Sequence, residues 1–155
     1  YTDTALTVPV GRVNKQSEHI MAVTREALFK GIQAARAGKS IADIGAAIEK
    51  HAKLFNIGVV KVLVGHGVGY EVHESPQVPN YYVRALESIK LTDGLVIALE
   101  PMFTLGSGDV DFLEDGWTVT TSDNTLSAHF EHTIVINGDK PDIVTLRPGE
   151  FTYGI

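Results

Sequence analysis

The sequence contains no cysteine, which excludes a disulfide framework, a thiolate nucleophile and a sulfur-ligated zinc site. It also lacks any apolar run of the roughly 18 to 20 residues that a membrane-spanning helix requires. Its 13 lysines and arginines are outnumbered by 19 aspartates and glutamates, giving a net charge of -6. The basic residues are scattered, so the concentrated positive footprint of a nucleic-acid binder is missing too. No repeat, linker or low-complexity stretch interrupts the chain. No initiator methionine stands at Tyr1 and strand-like sequence begins at once, so the chain is expected to start inside a longer protein; with no secretory signal, a cytoplasmic location is expected. Any metal would have to be held by oxygen and imidazole.

What is present suits a globular protein. The 155 residues are 44% hydrophobic and 21% charged, enough for one domain with its own core over residues 1–155. Thr4 to Val10 alternates like a strand and ends at Gly11. Lys15 to Ala37 carries Ile20, Val23, Ala27, Leu28, Ile32 and Ala35 at helical spacing, and Gly38 closes that helix. Ser40 and Asp43 form a capping-box pattern ahead of Ile41, Ile44, Ile48 and Phe55, which predicts a second helix stopped by "NIG". Val59 to Val64, Leu95 to Leu99 and "HFEHTIVI" read as three strands.

Each strand carries or ends in a residue that is expensive to bury. Taken alone, any one of them reads as an ordinary hydrogen-bonded core group. Glu100 follows the run from Val96 to Leu99 and precedes Pro101, and an unpaired carboxylate there would be destabilising or would take up a proton. In "AHFEHTIVI" a period of two sets His129, Glu131 and Thr133 on one face and Phe130, His132 and Ile134 on the other. Asp3 shares a face with Ala5 and Thr7, and His66 closes "VKVLVGH". Three carboxylates and an imidazole converging in a core repel one another unless a cation compensates, and oxygen and nitrogen ligands favour Mn, Fe, Co or Zn. In "GHGVGYEVHE" the glycines Gly65, Gly67 and Gly69 are expected to allow unusual backbone angles and close approach to a ligand, turning His66 and His73 into one cavity. As a phosphate-binding loop the segment is weak, because the Lys-Ser/Thr pair is absent and no helix pattern begins directly after it.

At this point the residues resemble the methionine aminopeptidases of the insertion-free type, within the pita-bread metallopeptidases that include Xaa-Pro peptidases and creatinase. The matching stretches are "TDT", "GHGVGYEVHESPQVPNY", "ALEPMFT" and "EDGWTVTTSDNTLSAHFEHTIVI", in the family order. The resemblance implies an α+β fold with a curved antiparallel sheet and helices on one face, incomplete at the N-terminus here. It implies a two-metal exopeptidase site in which Asp3 and Glu131 bridge both metals while His66 and Glu100 complete the first. Glu100 would relay a proton from metal-activated water that attacks after an N-terminal methionine, and His73 would stabilise the tetrahedral intermediate. Trp117 matches a position lining the methionine side-chain pocket, with a core aromatic as the equal alternative. Val72 stands where many relatives carry a larger aromatic, and His129 stands where they usually carry Gln and is expected beside the site. The second metal's own aspartate would come from upstream of Tyr1, so one metal position is complete here. The chain alone is expected to be a feeble peptidase that a complementing N-terminal segment would restore. The expected partner is a peptide or nascent-protein N-terminus, with neither nucleic acid nor membrane. The alternatives are a pita-bread module that only binds peptides or a partner chain, and an Xaa-Pro peptidase.

Overall fold

The computed structural model describes residues 1–150. Two helices form where the periodicity predicts them. Helix α1 spans Lys15–Ala34, three residues shorter than expected, and starts where the Asn14 side chain accepts a hydrogen bond from the Ser17 amide. Helix α2 spans Ile41–Leu54 behind the Ser40/Asp43 capping box, in which the Ser40 amide donates to Asp43 at 2.8 Å. Helix α1 ends at its C-cap Ala35, whose amide bonds the Ile32 carbonyl, and Gly38 takes a φ of 84° in the turn beyond; Asn56, directly after the α2 C-cap Phe55, takes a left-handed φ of 54°. Among the described residues no helix is long and apolar enough to cross a membrane.

The strands are β1 (Gly58–Val59), β2 (Gly65–Gly67), β3 (Glu74–Val78), β4 (Val96–Leu99), β5 (Met102–Thr104), β6 (Val110–Phe112), β7 (Val119–Thr121), β8 (Ser127–His129), β9 (His132–Val135) and β10 (Asp142–Ile143). All pairings are antiparallel, in a five-stranded sheet β10-β9-β4-β2-β3, a three-stranded sheet β1-β5-β8 and a β6-β7 hairpin. Ile20, Leu28, Ile32, Ile44 and Ile48 from the helices pack with Ile97, Leu99, Phe103 and Ile134 from the sheets in one core. Each such fully buried side chain contributes about 1.5–3 kcal/mol.

Four strand expectations are corrected. "HFEHTIVI" is not continuous: β8 belongs to one sheet and β9 to the other, with Phe130 and Glu131 at the crossing. Strands β4 and β5 change sheets in the same way at Glu100 and Pro101, since proline has no amide to extend the ladder. The β-branched run Val59 to Val64 contributes only Val59 to a strand, because past Val60, whose amide bonds the Met102 carbonyl, the chain leaves its partner. The glycine motif, expected to take unusual backbone angles, forms strand β2 over Gly65–Gly67, and none of Gly65, Gly67 and Gly69 has a positive φ. Their lack of a side chain serves close approach of backbone: a Cβ would lie 2.3 Å from the Ala98 carbonyl oxygen at Gly65 and 2.2 Å from that of Ser75 at Gly67.

Thr4 to Val10, expected as a strand, makes one bridge, Leu6 with Phe130, and forms no strand. Threonine hydroxyls replace much of the ladder. Thr133 Oγ1 donates to the Asp3 carbonyl at 2.7 Å and accepts from the Asp3 amide at 2.8 Å, and Thr7 Oγ1 does the same to both backbone groups of His129.

Candidate metal centre

Strand register explains how residues far apart in sequence share one face. His66 pairs with Ala98, and Ala98 pairs with Thr133, so these three side chains stand in one row across β2, β4 and β9. Ile97 and Leu99 point to the core on the opposite face. One pleat further on, the same face carries Glu100 after β4 and Glu131 before β9, at the seam where both strands change sheets. The small Ala98 side chain leaves room beneath them. Asp3 is hung on Thr133 by both its backbone groups. The four residues thus come together, though only His66 lies within a strand.

Two overlapping groups result, Asp3–His66–His73 and His66–Glu100–Glu131, in each of which one donor atom per residue lies within 4.8 Å of the others. His66 Nδ1 lies 2.9 Å from the Gly67 carbonyl oxygen, which can only accept, so that nitrogen carries the proton and Nε2 presents its lone pair. Nε2 is buried without a hydrogen-bond partner, 3.7 Å from Glu100 Oε1 and 3.9 Å from Asp3 Oδ2. Donors bound to one divalent ion lie about 3–4 Å apart, given bonds near 2.1 Å. An orphaned imidazole nitrogen facing carboxylates at this spacing fits a divalent cation. The charge balance agrees: Glu131 is 4% exposed, and burial, then Glu100, then Asp3 push its pKa from 4.5 to about 8, with Arg147 opposing.

The remaining site residues surround this centre. His73 stacks edge-on against His66 with ring centroids 4.2 Å apart, and its Nε2 lies 3.9 Å from Asp3 Oδ2. Its side chain is 73% exposed where that of His66 is 9% exposed. His129 Nε2 lies 3.5 Å from Glu100 Oε2. A cleft of about 790 Å³ opens over the centre, with Leu63, Val64, Met102 and Val119 on its apolar wall. Trp117 lines the cleft too and is 88% exposed, so it is no core aromatic. It rides the β6–β7 turn, where Asp115 accepts from the Thr118 hydroxyl and from the amides of Thr118 and Trp117, the hydroxyl first among the contacts that hold the Asp115 pKa below its usual value. Val72 is half-buried and does not line the cleft. Sequence reasoning missed Asn80, whose side chain donates to the Glu100 carbonyl at 3.1 Å, and Thr133 and Arg147, which brace the Asp3 segment. Only the buried-face position of Thr133 in "EHTIVI" was a signal for these.

Comparison with known proteins agrees with this geometry. The family model described as metallopeptidase family M24 matches residues 1–138. The chain is 43% identical to a methionine aminopeptidase of Borreliella burgdorferi over 94% of its own length and 58% of that protein. It is 42% identical to methionine aminopeptidase 1 of Bacillus subtilis over 92% of its length and 57% of the relative. It therefore spans a little under three-fifths of the length of these curated relatives. The solved methionine aminopeptidase of Rickettsia prowazekii superposes with a TM-score of 0.90 at 39% identity, over 94% of this chain and 59% of that one. A prolidase of Pyrococcus horikoshii, at 24% identity and a TM-score of 0.71, shares the pita-bread fold alone. With the family model matching nearly nine-tenths of its residues, this chain belongs to metallopeptidase family M24.

Proposed function

We propose that residues 1–155 form the C-terminal portion of a metal-dependent methionine aminopeptidase, a single catalytic domain acting in the cytoplasm on peptide and nascent-protein N-termini. The observation that carries this reading is the buried, unpartnered Nε2 of His66 facing carboxylates at the floor of a cleft with an apolar wall. Asp3, His66, Glu100 and Glu131 would hold a divalent cation of the Mn, Fe, Co or Zn class, and Asp3 and Glu131 would contribute to a second position whose further aspartate residues 1–155 do not provide. A bound divalent cation supplies Lewis acidity and lowers the pKa of water. Glu100 accepts the proton of the attacking water and delivers it to the departing amine. His73, exposed toward the cleft rather than buried among the carboxylates, donates a hydrogen bond to the peptide carbonyl oxygen as charge develops there. Trp117, Met102, Leu63 and Val64 offer an apolar surface of the right character for a methionine side chain.

The test is release of free methionine from Met-Ala-Ser in the presence of Mn or Co, by the chain alone and with a complementing N-terminal segment. Metal-dependent release that disappears in Glu131→Gln is expected, stronger with the added segment. Cleavage of Xaa-Pro peptides in its place would assign the other activity of the fold, and tight peptide binding without hydrolysis in either preparation would make the chain a binding module.

A further inference from the structure

The segment Thr145–Glu150, which lies far from the cation ligands in sequence, is clipped to the back of the site. His132, fully buried, places Nδ1 2.9 Å from Thr145 Oγ1 and Nε2 3.2 Å from Glu150 Oε2, and the Thr133 amide donates to Thr145 Oγ1 at 3.0 Å. Glu150 in turn orients Arg147: its Oε1 accepts from Arg147 Nη1 at 3.1 Å and its Oε2 from the Arg147 amide at 3.1 Å. The other guanidinium nitrogen, Nη2, donates to Thr4 Oγ1 at 2.6 Å and to the Ala5 carbonyl at 2.9 Å.

Both acceptors are shared with Glu131. Thr4 Oγ1 donates onward to the Glu131 carbonyl at 2.8 Å, and the Ala5 carbonyl also accepts from the Glu131 amide at 3.0 Å. One guanidinium nitrogen therefore grips the segment that carries Asp3 at the same two points where that segment grips Glu131. As Thr4 to Val10 forms no strand, these contacts and the Thr133 hydroxyl do the work of a ladder. We propose that Arg147 is a positioning residue that sets the placement of the Asp3 and Glu131 carboxylates for the cation. The inference rests on the metal-centre reading above. Arginine suits the task because its rigid fork can serve Glu150 on one nitrogen and two oxygens on the other, which a lysine ammonium cannot do at once.

The test compares the wild-type chain with Arg147→Met and Arg147→Lys in two measurements. In the metal-free proteins, amide hydrogen exchange at Asp3 and Glu131 reports whether the two segments remain joined. Titration with Co(II), followed by visible absorption, reports affinity and the coordination at saturation. Expected are faster exchange at both amides in Arg147→Met, Co(II) binding about 10- to 100-fold weaker, altered absorption bands at saturation, and partial recovery in Arg147→Lys. A general loss of stability would lower the melting temperature without changing the bands. Wild-type exchange and wild-type Co(II) affinity in a folded Arg147→Met would overturn the proposal. If Arg147→Met fails to fold by circular dichroism, Thr4→Val decides: it keeps the Arg147–Glu150 pair and the Ala5 contact but removes the hydroxyl bridge to the Glu131 carbonyl, so a smaller loss of Co(II) affinity with faster exchange is expected, and unchanged affinity and exchange there would overturn it. If the wild-type chain takes up no Co(II), the metal-centre reading fails, and the exchange comparison alone judges the strut.

Discussion

Glu131 couples the site to pH through its own proton. Buried beside Glu100 and Asp3, it has a pKa raised from 4.5 to about 8 in the metal-free chain. Between these values the folded state holds a proton that the unfolded state has released, so stability is lost as pH rises across that window. Melting temperatures of the metal-free chain are expected to fall from pH 5 to pH 8, and Glu131→Gln should flatten the fall; an unchanged slope in the variant would assign the effect to other groups. Cation affinity should rise over the same window, because the proton must leave before the ligand can bind. The role proposed for His73 lies in the other half of the chemistry. Its exposure and its placement beside His66 predict that His73→Ala lowers turnover by on the order of 10²-fold or more with Co(II) affinity little changed. A parallel loss of Co(II) in a titration of that variant would make it a ligand. His66, Glu100 and Glu131 were legible in sequence because each ends or interrupts an apolar run, Asp3 because of its place in a strand-like alternation, and His73 because it follows His66 within one glycine-rich segment. Arg147 was not: its contacts with Thr4 and Ala5 span 143 and 142 residues, and nothing near it in sequence records them.

At the scale of elements, helices were easier to foresee than strands. Periodicity and caps are local, and the Ser40/Asp43 box and the glycine after α1 stand where they were expected. A strand exists only where a partner does, so Val60 to Val64 has the composition of one without forming it, and the short glycine-rich β2 forms because β3 and β4 flank it. The crossing of both strand pairs at Glu100 and Glu131 was hinted at only by Pro101. Strand β2 yields a sharp expectation. A methyl group at position 67 would meet the Ser75 carbonyl at 2.2 Å, and this neighbour is backbone and cannot step aside cheaply. Gly67→Ala should therefore destabilise the chain by about 1–3 kcal/mol and weaken Co(II) binding through His66. Urea denaturation with and without metal measures both, and wild-type values would show that the β2–β3 register shifts at no cost.

At the scale of the whole molecule, the helices and the core face of the sheets form a support, while the opposite face collects the reactive groups from both ends of the chain. Pairing of Asp3 with Thr133 and of Thr4 with Arg147 closes the described chain nearly end to end. The cleft above this closure has the chain's single tryptophan at its mouth, 88% exposed. Emission excited at long ultraviolet wavelength thus comes from one indole, with no background from a second. Free in water, Trp117 should emit at the red end of its range. A methionyl peptide or an uncleavable analogue seated against Leu63 and Met102 would cover it and move the emission to the blue, in step with occupancy. If the proposed site takes such a peptide, the chain carries its own optical gauge of that binding, readable without turnover, without a label and in variants that hydrolyse nothing.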